Sequence, residues 1–265
     1  MYISKWHKKE RYSMTYIYAY SNHKENLDRI RRMAVLYKRL EAEGESVTML
    51  TNNFRAVSIA IELGAIECTT IETIMDIDFI AKDGDSIVID SPEDDRGRLE
   101  LYMQKFASVS RVISSENEVS IYGEELLDID GLVDDYYHAV AKEPKIDRRV
   151  LFWGDSDSSK SILRYREYFS DLSLELLLGE YFFPKYESEI SDIFTNMHDS
   201  EDYRDVIGES SYVATSSVQS AIEASIAGAI VEYIAILPLL DSDKSRLEKH
   251  DISIKYIENS IVNQH

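Results

Sequence analysis

Along this chain, short apolar runs alternate with longer stretches whose apolar residues recur every three or four positions. Residues 15–19 (TYIYA), 46–50 (SVTML), 68–71 and 86–90 (SIVID) are rich in aromatic and β-branched residues and are predicted as strands. Between the first two, residues 25–43 repeat Leu27, Ile30, Met33 or Ala34, Tyr37 and Leu40 at helical spacing, and Gly44 follows where a helix ends. Residues 54–63, stopped by Gly64, and 72–82 read as further helices. The SIVID run has the apolar character of a strand covered on both faces. A helix over 98–107, a strand over 110–114 and short strand candidates at 120–122 and 132–133 complete the first half.

The stretch 142–147 (KEPKID) is polar, carries Pro144 and reads as a linker. The pattern then restarts: strand 149–153 (RVLFW), helix 159–168, strand 172–178 (LSLELLL), helix 186–194, short helix 199–206, strand 212–216 (YVATS), helix 218–227 and strand 230–236 (IVEYIAI). Strands and helices alternating at this spacing predict parallel, doubly wound sheets. The expected fold is therefore α/β, two Rossmann-like domains facing across a cleft, an N-terminal one over 14–143 and a C-terminal nucleotide-binding one over 148–265.

Composition narrows the function. The chain has 265 residues and a formal net charge of -20, which opposes broad contact with nucleic acid or anionic lipid. A local phosphate pocket survives that argument, because backbone N–H groups at a helix start hold an anion without net positive charge. Cys68 is the sole cysteine, which rules out an intrachain disulfide and a cysteine-rich zinc site. The six histidines show no metal-binding spacing, and neither a metal nor a cofactor is expected. No run approaches the roughly 20 apolar residues of a membrane helix, so membrane insertion is not expected either. The basic opening MYISKWHKKERYSM is read as a leader, with Met14 as an internal start, and a reducing cytoplasm is the expected setting.

Two segments carry candidate chemistry. Residues 153–161 (WGDSDSSKS) join a strand to a helix and end in Lys-Ser after Gly154. A Walker loop needs glycine where Ser159 stands, and Asp155 and Asp157 oppose a phosphate cradle, so the segment reads as a helix start capped by its own side chains, or as a loop lining a cleft. Residues 214–228 run from a strand end into a helix of small residues, whose free N–H groups suit a diphosphate and whose Glu223 could accept the hydroxyls of a ribose. A tightly packed helix with one exposed glutamate explains the same residues equally well. The acidic run 128–135 lacks the spacing of a calcium loop and reads as solvated acid.

The segments RVLFWGDSDSSKSIL, LSLELLLG and NMHDSEDYRDVIGESSYVATSSVQSAIEASIAGAIVEYIAI together resemble the C-terminal domain of the UDP-sugar hydrolase of the pseudaminic acid pathway. That family is similar in turn to the spore-coat polysaccharide proteins and to MurG-like glycosyltransferases of GT-B architecture. On this resemblance Glu223 matches the ribose-binding glutamate, Gly228 the glycine five residues later, Gly154 the first glycine of the early loop, and Asn196 and Met197 an Asn-Met-like element. Ser217 and Val218 replace the two glycines of the phosphate segment, and Gln219 and Ser220 stand at its usual serine and threonine. The implied nucleotide-binding set is Gly154, Ser216, Ser217, Gln219, Ser220 and Glu223. In the first half, residues 32–40 (RMAVLYKRL) resemble the family's Arg-Cys-Leu-Thr-Leu-Ala helix, but Asp28 and Arg29 stand where the family carries Gly-His. The catalytic histidine is missing, and His23, six residues before Arg29, is the candidate base, with Arg29 to neutralise a leaving diphosphate.

The resemblance implies a GT-B-like enzyme of surface or flagellar sugar biosynthesis, a hydrolase or glycosyltransferase acting on a nucleotide-sugar, UDP-linked by preference. The alternative is a catalytically inactive relative, a binding or scaffold subunit with a protein partner in a glycan pathway. The chain beyond about Pro238 reads as too short for the helix that in this family crosses back to the first domain.

Overall fold

Parallel sheets need helices on both faces, and the chain supplies them twice. The computed structural model describes residues 13–93, 97–113, 118–236 and 238–257. The leader assigned before Met14 lies outside the described residues apart from Ser13.

The first sheet is built from β1 (Met14–Ala19), β2 (Ser46–Thr51), β3 (Cys68–Thr70), β4 (Ser86–Asp90), β5 (Ser108–Val112) and β6 (Glu125–Leu127) in the order β3-β2-β1-β4-β5-β6. Its helices are α1 (Asp28–Ala42), α2 (Phe54–Glu62), α3 (Ile77–Ile80) and α4 (Arg98–Lys105). All pairings are parallel, with β1 in register against β2 from Met14↔Ser46 and against β4 from Thr15↔Ser86. The period-two pattern sorts β1 between two cores: Ile17 and Ala19 face the α1 and α2 side, Tyr18 the side of α3 and α4.

Next comes α5 (Asp135–Val140), followed by β7 (Ile146–Phe152), α6 (Ser161–Arg164), α7 (Arg166–Ser170), β8 (Glu175–Leu177), α8 (Pro184–Ile190), β9 (Met197–His198), α9 (Tyr203–Glu209), β10 (Ser210–Thr215), α10 (Val218–Ala227), β11 (Ile230–Ala235), α11 (Asp241–Lys249) and β12 (Ser253–Tyr256). The second sheet has the order β12-β11-β10-β7-β8-β9, again all parallel. Val150 and Phe152 face one core, with Tyr137 of α5, Val206 of α9 and Ala221 of α10; Leu151 and Trp153 face the other. Helix α5 thus packs on the second sheet although it precedes the KEPKID stretch.

Several local departures from the sequence pattern have visible causes. The helix expected over 159–168 is two short ones, because Lys160 is left-handed (φ 52) and Tyr165 leaves helical geometry (φ -106, ψ 29). Pro184 sets the start of α8 two residues ahead of the expected Tyr186. The strand expected at 120–122 is a loop that folds over Glu124, whose carboxylate accepts N–H bonds from Ile121 and Tyr122, and the ladder forms at β6 instead. Residues 132–133 belong to a short helical turn and its exit.

The C-terminal segment also reaches the first domain. Arg246 of α11 donates to the Ile113 carbonyl, and Lys249 pairs with Asp130 at 2.6 Å. The acidic run is occupied by cations: Asp134 holds Lys38 and Asp135 holds Arg39. These bridges come from helices of both domains, so the run helps fix one domain on the other.

Candidate ligand cleft between the two sheets

In open α/β sheets the ligand crevice lies at the carboxyl ends of the strands, where the strand order reverses. Here the reversals fall between β1 and β4 and between β7 and β10. The loops leaving β1 and β7 meet, so the two carboxyl edges face one another across a cleft.

At the meeting point the cleft is filled by the protein itself. Asp155, fully buried after β7, accepts two hydrogen bonds of 2.6 Å from the Arg31 guanidinium of α1 and one of 2.8 Å from the Leu27 N–H. The Asp155 N–H donates to Asn26 Oδ1 at 3.1 Å. Burial works against the charge on Arg31, but Asp155 beside it holds the guanidinium well above its ordinary value. The planar guanidinium also lies 3.9 Å from the centre of the Tyr203 ring, a cation–π contact in a dry setting.

The α10 segment closes the other side. Ser217 caps the helix by accepting from the Ser220 N–H at 3.0 Å, while its hydroxyl donates to the Asp28 carboxylate of the first domain at 2.9 and 3.0 Å. Ser216 donates to the Trp153 carbonyl. Glu223 is buried and not exposed to solvent: its carboxylate accepts from Tyr203 Oη at 2.7 Å and from Gln219 Nε2 at 3.0 Å. Burial pushes its carboxyl up to about 7, against the opposing pull of Tyr203, Gln219 and Arg31. Burial likewise raises Asp28, with Arg31 opposing.

Thus the structure brings Gly154, Ser216, Ser217, Gln219, Ser220 and Glu223 together around one strand-to-helix turn, and gives most of their polar groups partners within the protein. Gly154 has φ 124, and an added Cβ would collide with Asn26 Oδ1. Its lack of a side chain serves the domain contact. Gly154→Ala should therefore lower stability by about 1–3 kcal/mol through left-handed strain and displacement of Asn26; a denaturant midpoint equal to wild type would refute the close approach.

Beside this contact the cleft opens into a cavity of about 770 Å³ at the carboxyl ends of β1, β2, β7 and β8. Its walls come from both domains: Tyr20, His23, Asn52, Phe54 and Arg55 on one side, Ser156, Lys160, Tyr181, Phe183 and Tyr186 on the other. Phe54 (74 % exposed) and Phe183 (62 %) stand at its rim. Lys160 pairs with Glu189, whereas Arg55 has no carboxylate partner among the described residues. Asp157 adds no open charge, since its carboxylate caps α6 through the Ser161 and Ile162 N–H groups and accepts from Tyr186. The aspartate-rich loop is thus a capped helix start and not a phosphate loop. In a chain of net charge -20, this cavity presents Arg55 and Lys160 alongside the capped Asp157.

His23 lines the large cavity, but Arg29 does not. Arg29 lies in a separate concavity of about 330 Å³ with Asp28 and Arg32, ion-paired with Glu25 at 3.0 Å and 3.6 Å from Asp90. The two proposed catalytic side chains are thus not in one pocket. Cys68 is half-buried and its thiol is pushed up to about 11 by burial, which suppresses the thiolate. Among the described residues no cluster of histidine, cysteine and carboxylate groups could hold a metal ion.

Sequence reasoning missed the aromatic wall of 181–186 and the partners Asn26, Arg31 and Tyr203. The signal available was a buried-charge argument: Asp155 between a strand and a helix requires a cation, but its partner lies 124 positions away.

No protein-family model and no curated relative matches the chain. Solved structures do. MurG of Acinetobacter baumannii superposes with a TM-score of 0.52 at 9% identity, over 95% of this chain and 87% of its own. The S. aureus MnaA–UDP co-structure gives 0.53 at 12% identity, over 90% of this chain and 87% of its own. A UDP-N-acetylglucosamine 2-epimerase from Listeria monocytogenes, described as putative, gives 0.52 at 13% identity over 91% and 87%. The fold is GT-B. At these identities the likeness carries the GT-B architecture, two doubly wound domains with facing carboxyl edges, and the function has to come from the cleft. No described helix is long and apolar enough to cross a membrane.

Proposed function

We propose that this GT-B chain binds a nucleotide-sugar in the cleft between its sheets, UDP-linked by preference, and hydrolyses it or transfers its sugar in surface or flagellar glycan synthesis. The observation that carries the reading is the two-sided cavity of about 770 Å³, whose aromatic walls suit the flat faces of a base or sugar and whose hydroxyl, amide and cationic groups suit a glycosyl phosphate. The structural neighbours support it, since they include a UDP co-structure and a putative UDP-N-acetylglucosamine 2-epimerase.

In this reading the α10 segment, with Gly154, Ser216, Ser217, Gln219, Ser220 and Glu223, receives the nucleotide once Asp28 withdraws, and the sugar projects towards His23. For hydrolysis, His23 takes a proton from water as the water oxygen bonds to the anomeric carbon and the bond to the diphosphate oxygen breaks. Arg29 and Arg32 supply positive charge on the side of the cleft where Asp28 now lies.

A second reading, a non-catalytic binding subunit, is favoured by the Asp28–Ser217 contact, which fills the expected diphosphate position from within. The two separate in titrations with UDP, CDP and GDP sugars followed by assays of nucleotide release. The enzyme reading expects binding weakened at least tenfold in Glu223→Ala and turnover lowered about a hundredfold or more in His23→Ala. Binding without turnover selects the subunit; no binding by the wild type rejects both.

A further inference from the structure

We propose that Asp28 is a latch: a carboxylate of the first domain that occupies the anion position at the start of α10 and keeps it closed until an anionic ligand displaces it. The inference rests on the reading of the α10 turn as a nucleotide site and adds its regulation.

The geometry is that of a self-supplied ligand. Both Asp28 oxygens lie 2.9–3.0 Å from the Ser217 hydroxyl, across 189 positions of sequence. Helix α10 has 10 residues, and the positive end of its dipole faces this carboxylate. The substitution is incomplete. Asp28 takes the Ser217 hydroxyl only, and the Val218 and Gln219 N–H groups of the first turn have no acceptor among the described residues.

In that same turn the Gln219 side chain is 1% exposed, its Nε2 is held by Glu223, and its Oε1 has no hydrogen-bond partner among the described residues. A buried acceptor left unpaired is uncommon and costly. Free donors at the helix start and a free acceptor beside Glu223 are the complement of a diphosphate carrying a ribose hydroxyl. Asp28 satisfies only the first part of that set.

Its hold on the position is limited by its surroundings. Desolvation acts most strongly against its charge and Asp155 repels it; Arg31, at 3.8 Å, and Arg32 favour the charge, but Arg31 is engaged by Asp155 and Arg32 by Asp90. Asp28 can therefore leave while the Arg31–Asp155 pair stays.

The test uses the full chain as wild type, Asp28→Asn and Asp28→Ser. Isothermal titration is run with UDP and with inorganic pyrophosphate, and amide exchange is followed over 216–220 without ligand. The latch predicts at least tenfold tighter pyrophosphate binding in both variants, together with faster exchange at 216–220. Unchanged or weaker pyrophosphate binding in folded variants overturns it. If the variants gain pyrophosphate but never bind UDP, the latch stands and the nucleotide reading fails. Asp28→Ser serves as the second variant because serine suits a helix start yet is too short to reach Ser217.

Discussion

Replacing Arg31 by alanine should lower the unfolding free energy by about 3–5 kcal/mol, the largest effect expected of a single substitution outside the apolar core. Asp155 is fully buried, and its two oxygens accept two bonds from Arg31 and one from the Leu27 N–H. Alanine leaves that carboxylate dry with one backbone donor. The ring of Tyr203, 3.9 Å from the guanidinium carbon, loses its cation as well. Exchanging the pair for similar-sized apolar residues, Arg31→Met with Asp155→Leu, should cost less than Arg31→Ala alone, because the fully buried Asp155 charge is removed together with its partner. Denaturant unfolding of the two variants checks this. A loss below about 1 kcal/mol in Arg31→Ala would mean that water reaches Asp155.

The second large effect is a pH dependence centred on Glu223. Its carboxyl titrates near 4.5 when free and at about 7 in the folded protein, chiefly through burial. Between those values the folded state holds the extra proton, so the contribution is fully present below about 4.5 and lost as pH rises through about 7. The shift corresponds to about 3 kcal/mol. The groups around it are Tyr203 of α9, Tyr137 of α5, Arg31 and Asp28 of α1, and Gln219 of its own helix. Glu223→Gln cannot ionise, so the difference in stability between wild type and variant should move by about 3 kcal/mol against the wild type from pH 4.5 to 7.5. A difference independent of pH would place Glu223 in contact with solvent.

How much of this the sequence carries depends on the range of the interactions. The long strands and α1, α2 and α10 are visible because their pattern is local: TYIYA, SVTML and SIVID bury alternate residues on two faces, and Ile30, Met33, Ala34 and Tyr37 line one side of α1. The edges are not. Strand β9 has two residues and exists only because β8 offers it a ladder, and β12 is held by β11 alone. Neither has a pattern long enough to register. The doubly wound, two-domain architecture follows from repetition of the same unit, and the GT-B likeness of the structure agrees with it.

The site divides along the same line. Glu223, Ser217 and Gly154 can be singled out from composition around a strand-to-helix turn, and the structure does gather them. What surrounds them is set by the start of α1 and the loop before it, where Asn26, Leu27, Asp28 and Arg31 approach from more than 120 positions away. Local sequence shows a serine-rich helix start; only the fold shows that a carboxylate from the other domain sits on it. Arg29 illustrates the converse, since Glu25 and Asp90 draw it away from the cavity that His23 lines.

Hydrogen exchange of the full chain with and without UDP-N-acetylglucosamine tests the central claim, that the cleft is a nucleotide-sugar site. The account predicts slower exchange in 20–23, 52–55, 156–160, 181–186 and 216–223, segments of both domains that line the cavity or start α10. Unchanged exchange in all five under every nucleotide-sugar tried, or protection confined to outer helices such as α4, would contradict it.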